Sequence, residues 1–177
     1  MIIPTTYSDW ITVLERFGDG DENVFEELNA GSFVLDSGTA QRFYLRVEEV
    51  YKKRKQNWLD KFQRSFQIQN IRTDDEFAIA LRNAKQNLIP LSKFVSSKGL
   101  PEDLRKTLKK DLDDFVREIK KSLKENFSKT NNNNDKMLIM ISTFSLPDII
   151  QLQDIDKITD NKKENINISS IGRKIIF

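Results

Sequence analysis

Residues 39–69 read TAQRFYLRVEEVYKKRKQNWLDKFQRSFQIQ, and they decide the fold class. The stretch holds neither Pro nor Gly. Phe43, Val47, Val50, Tyr51, Trp58, Phe62 and Phe66 recur at helical spacing and so share one apolar stripe. A helix of ~30 residues is about 45 Å long at ~1.5 Å per residue. That exceeds what a compact domain needs, so the helix must lie along several partners or project.

Downstream, Thr73-Asp74-Asp75-Glu76 has the spacing of a capping box. The helix it opens is expected to run to about Val95, carrying Phe77, Ala80, Leu81, Ala84, Leu88 and Leu91. Pro90 should kink it or end it near Ile89. Ser96-Ser97-Lys98-Gly99 reads as a turn, and Pro101 then suits a first helical position. The helix that follows runs to about Phe127, with Leu104, Leu108, Leu112, Phe115, Ile119, Leu123 and Phe127 on one face. Upstream, residues 8–17 read as a short helix, with Ser8 as N-cap and Gly18 as C-cap. Asp21 is placed to cap a second short helix through Asn29, which Gly31 ends. Phe33, Val34 and Leu35 read as a hydrophobic clasp in the loop after it.

The run SKTNNNNDK (128–136) reads as a linker, because Asn favours turns and disfavours helix. Beyond it, MLIMISTF (137–144) is a near-continuous apolar run, expected as a buried strand, with a buried helix as the other reading. A short helix from Leu146-Pro147-Asp148 to Gln153, a polar loop over 160–165 and a strand-like segment, INISSIGRKIIF (166–177), complete the chain. Paired as strands, the two apolar segments make a ribbon that is marginal alone and needs a helical cover or a partner's edge. The fold expected is mainly α: an antiparallel helical bundle with one long (~30-residue) amphipathic helix and a small mixed α/β C-terminal segment. Its parts are a helical domain over 1–130, an Asn-rich linker over 131–136, and a segment over 137–177 that packs on the bundle or on a partner.

Composition narrows the chemistry. The 177 residues are 38% hydrophobic and 32% charged, which supplies a real core. There is no Cys and no His, so thiol nucleophiles, disulfides, Cys/His zinc sites and imidazole acid–base catalysis are excluded. No glycine belongs to a phosphate-binding Gly-Lys-Ser/Thr loop. Asp19-Gly20-Asp21-Glu22 lacks the ligand alternation of a calcium loop. Glu48 and Glu49 have no Glu-x-x-His companion, and Ser96 and Lys98 read as turn residues. The reading therefore assigns no catalytic residue, no cofactor, no metal and no enzymatic activity. The N-terminal MIIPTTYSDW has no basic and long apolar regions of a secretory signal, and no apolar run is long enough to span a bilayer. A cytoplasmic setting without a membrane is expected. Abundant Asn, Lys and Ile suggest an AT-rich coding genome and a bacterial or phage origin.

Charge is distributed unevenly. Residues 1–50 hold 3 basic and 10 acidic side chains, residues 51–130 hold 20 and 11, and residues 131–177 hold 6 and 6. Either the acidic N-terminal part packs beside the basic helices and neutralises them, or a basic surface faces outward. Lys52-Lys53-Arg54-Lys55 resembles a nucleic-acid patch, although on a helix its members point in four directions and Arg54 must snorkel from the apolar stripe. Tyr44, Tyr51 and Trp58 lie near it, where core packing and base stacking compete as explanations. On the helix of 102–127, Lys106, Lys109, Lys110, Arg117, Lys120 and Lys124 gather on one flank of the apolar stripe. Asp103, Asp111, Asp114, Glu118 and Glu125 gather on the other. A helix built only for solubility more often mixes signs at four-residue spacing. The separated flanks thus suggest that each meets opposite charge on the protein's own acidic N-terminal part, another protein or nucleic-acid phosphate, against the plainer reading of self-neutralisation or a solvated surface. The functional expectation is a non-catalytic protein-interaction module, a small subunit, adaptor or neutralising partner of a larger assembly, hetero- or homo-oligomeric. Lys106, Lys110, Arg117, Lys120, Asp114 and Glu118 are its partner-binding candidates. The alternative is a nucleic-acid-binding accessory protein using the basic helices of residues 51–124.

Overall fold

The computed structural model describes residues 1, 3–33, 36–67, 71, 73–127 and 134–146. These residues are mainly helical, with no strand among them. They divide into two compact units. The first holds Met1–Ser65 and Pro90–Phe115, and the second holds Phe66–Ile89 and the described residues from Val116 onward.

In the first unit, α1 spans Tyr7–Gly18. Its cap is Thr6 rather than Ser8: the Thr6 hydroxyl accepts from the Asp9 N–H at 3.1 Å, and the Asp9 carboxylate accepts from the Thr6 N–H. These hydrogen bonds hold the Asp9 carboxyl below its ordinary pKa. Trp10, Val13, Leu14 and Phe17 form the buried side of α1. Helix α2 is short, Phe25–Ala30, and begins at Val24 with no side-chain cap. Asp21 does not cap it. Its carboxylate accepts from the Asn23 N–H at 2.8 Å and pairs with Arg16 at 3.0 Å. After Gly31 the chain returns to the beginning of α1, where the Ser32 N–H donates to the Pro4 carbonyl and the Trp10 indole N–H donates to the Ser32 carbonyl.

Helix α3 follows as Ser37–Ser65, 29 residues. Asp36 accepts from the Thr39 N–H at its start. The stripe read from the sequence, Phe43 to Phe62, is its buried side, and Phe66 beyond its end is buried too.

The contacts of α3 also give the direction of the helices beside it. Along α1 and α3, Trp10 meets Phe43, Glu15 meets Arg46, and Asp19 meets Lys53. Residue numbers rise together, so α1 and α3 run parallel. Helix α6, Glu102–Phe127, repeats the pattern in its first half: Tyr44 meets Asp103, Tyr51 meets Asp111, and Trp58 meets Phe115. The antiparallel expectation concerns consecutive long helices, so it is not at issue for these pairs. Short loops make consecutive helices antiparallel, but these helices are not consecutive. Helix α2 and the segment after it return the chain before α3, and two helices intervene between α3 and α6.

One of those is α4, Asp74–Gln86, in the second unit, and the other is α5, Ile89–Val95. Pro90 therefore neither kinks nor ends one continuous helix. It lies in the first turn of a separate one, where its missing N–H is not needed. In the first unit, Phe94 of α5 stacks on Phe17, with ring centroids 4.3 Å apart. The turn after α5 is closely packed. The Gly99 N–H donates to the Leu28 carbonyl at 2.9 Å, and a Cβ on Gly99 would lie 2.1 Å from that oxygen and 2.8 Å from the Trp10 ring.

In the second unit, Thr73 caps α4 by accepting from the Glu76 N–H at 3.1 Å, as its spacing predicts. Phe66, Phe77 and Phe127 form an aromatic cluster with centroids 5.0–6.1 Å apart. Helix α7, Asn134–Ser142, packs against α4. It replaces the strand expected over 137–144. Met137, Ile141 and Phe144 are buried while Ile139 is exposed, a helical rather than alternating pattern. Residues 134–136, read as linker, belong to α7. The rest of the Asn run, the helix to Gln153, the loop over 160–165 and the strand over 166–177 lie outside the described residues. On α6, Val116 joins the buried face, and Phe115, expected on that face, is half-buried.

The Gly99 contact predicts a severe penalty for any side chain there. Gly99→Ala should cost about 3 kcal/mol or more, because backbone must shift to admit the methyl group. Gly20→Ala, at φ 106° with open space around it, should cost only about 1–2 kcal/mol of backbone strain. Urea unfolding of the two variants checks the ordering.

Candidate interaction surface

The basic run of α3 is used inside the first unit. Lys53 pairs with Asp19 at 3.1 Å. Arg54, whose side chain is 13% exposed, donates to the Phe17 carbonyl at 2.7 Å and to Glu22 at 3.5 Å. Its guanidinium also lies 4.6 Å from the centre of the Phe17 ring, a cation–π contact in a partly desolvated place. Lys55 pairs with Asp111 at 2.8 Å and lies over the Tyr51 and Phe115 rings. Only Lys52 of the four is exposed without a role in these contacts. Upstream, Arg46 pairs with Glu15 at 3.1 Å. The acidic N-terminal part thus neutralises the basic helix beside it, one of the two arrangements open from the sequence.

The aromatic side chains beside that run are also occupied. Tyr44 donates to Asp103 at 2.8 Å, and Tyr51 to Asp111 at 2.7 Å. Trp58 is buried, stacked on Phe62 and edge-on to Phe115. Tyr51 and Trp58 are buried and present no free face for a nucleic-acid base, whereas Tyr44 is half-buried. Burial, with the Asp111 carboxylate, pushes the Tyr51 hydroxyl well above its ordinary pKa. Burial alone would raise Asp111, but hydrogen bonds from Lys55 and Tyr51, and the charges of Lys55 and Lys52, hold its carboxyl below the usual range.

All six candidate residues lie on α6. In the first unit, Lys106 is exposed and pairs with Glu102 one turn away at 3.2 Å, while Lys110 and Asp114 are exposed. In the second unit, Arg117 and Glu118 are exposed, and the half-buried Lys120 donates to the Ser142 carbonyl at 2.8 Å. Five of the six therefore stand on the solvent side, and Lys120 helps hold the end of α7. The five carboxylates of the acidic flank are all exposed, and Asp103 and Asp111 also bond the tyrosines of α3.

The wheel reading passed over two exposed residues, Asp113 and Lys121. Asp113 is four residues from both Lys109 and Arg117 and stands in the basic flank. Lys121 is three residues from Glu118 and four from Glu125 and stands in the acidic one. A check of four-residue neighbours in the sequence finds both. Each flank thus carries charge of the other sign, Glu102 and Asp113 in the basic one and Lys121 in the acidic one. Among the described residues, no group of three or more Asp or Glu is placed to hold a metal ion, and no helix is long and apolar enough to cross a membrane.

Two predictions follow from the α3–α6 contacts. Asp111→Asn should lower stability at pH 7 by about 1 kcal/mol, a modest figure because the carboxylate is half exposed. The native Asp111 pKa is depressed, so its contribution is complete above the unfolded value of ~3.9 and fades as pH falls through the lower folded value. The gap between variant and wild type should close in strong acid. The Tyr51 pKa is raised, so its contribution is complete below the unfolded value of ~10 and is lost as pH climbs beyond it. Tyr51→Phe should therefore cost about 1 kcal/mol at pH 7 yet lose less stability than wild type above pH ~10, as read by urea unfolding across pH. On the α1 side, Arg54→Ala should cost about 1–2 kcal/mol and Lys52→Ala under about 0.5 kcal/mol in the same assay. No family model, curated protein or solved structure matches the chain.

Proposed function

We propose that this chain is a non-catalytic interaction protein, a small subunit or adaptor of an intracellular, cytoplasmic assembly, which binds another protein through the solvent face of α6. One observation carries the reading. Lys106, Lys110, Asp114, Arg117 and Glu118 all stand on the exposed side of α6, whereas Lys53, Arg54 and Lys55 of α3 face partners within the first unit. Exposed charge of both signs in flanking strips sets orientation and encounter rate for a protein partner of complementary pattern. Asp113 and the acidic strip beside the lysines would repel a phosphate backbone, which favours protein over nucleic acid as the partner. The chemistry left to a chain without Cys or His, with its carboxylates in caps and ion pairs, supports a non-enzymatic role.

A tagged pull-down from the native host, run with and without nuclease, tests this. The wild type should retain a stoichiometric protein after nuclease treatment. Lys106→Glu combined with Lys110→Glu and Arg117→Glu should lower that recovery at least tenfold while the variant still unfolds in one cooperative transition at a slightly lower temperature, and Lys52→Glu on α3 should leave recovery intact. Loss of all partners on nuclease treatment, with oligonucleotide binding that weakens steeply in salt, would replace this reading with nucleic-acid binding. Full binding by the triple variant would remove α6 from the account.

A further inference from the structure

We draw no further inference here: the strongest candidate, the apolar side chains of Ile79 on α4 and Ile139 on α7 left exposed in the second unit, has nothing in the structure to show what covers it.

Discussion

Tyr44, Tyr51 and Trp58 stand seven residues apart on one line of α3, and the first unit is arranged by what they meet. Seven residues are close to two helical turns, so the three side chains point the same way. Each reaches α6, at Asp103, Asp111 and Phe115 in turn. Two are hydroxyls donating to carboxylates, and the third is an indole edge-on to a ring. A buried tyrosine hydroxyl without an acceptor would be costly, so these contacts fix the register of the two helices as well as their direction.

The opposite problem is solved on the α1 side. A helix with Lys and Arg at 52–55 places one guanidinium, Arg54, beside its apolar stripe. The Phe17 carbonyl at the end of α1 accepts from that guanidinium, and the Phe17 ring lies beneath it. Helix C-termini carry unpaired carbonyls and partial negative charge, so the end of α1 is a suitable seat for a cation. Asp19 and Glu22 add full charges just beyond it. The charge imbalance along the sequence, acidic before residue 50 and basic after, is thus a packing device here.

Much of this was legible in the residues. The bounds of α6, the buried stripe of α3 and the Thr73 cap follow from periodicity and local hydrogen-bond chemistry, which are properties of short segments. Which residues of α6 meet α3 was not legible, because a repeat marks a buried stripe without naming its partner. Only the order of the contacts, Asp103, Asp111 and Phe115, shows the register. Helix α7 was misread because MLIMIS is apolar throughout, and a run without polar interruptions carries no period. The Thr6 cap was missed for a related reason: Ser8 satisfies the composition rule equally, but Asp9 stands three residues after Thr6 and completes the reciprocal pair. The candidate surface was legible as two flanks on a wheel. That Asp103 and Asp111 turn to α3 depends on hydroxyls some sixty residues earlier, which no local pattern records.

The central claim is that α3 and the first half of α6 run parallel, with their facing charges and hydroxyls paired. The chain has no cysteine, so spin labels enter cleanly at two engineered thiols. Gln41→Cys with Glu102→Cys places labels at the starts of the two helices, and Gln41→Cys with Asp113→Cys places them at opposite ends of the contact. These exposed positions make none of the contacts described between α3 and α6. Eleven residues of helix separate the two α6 positions by about 16 Å. Pulsed electron–electron distances should be the shorter for the 41–102 pair, by roughly 10 Å or less given label flexibility and the geometry of the two axes. A shorter distance for the 41–113 pair would mean antiparallel helices and would contradict the account.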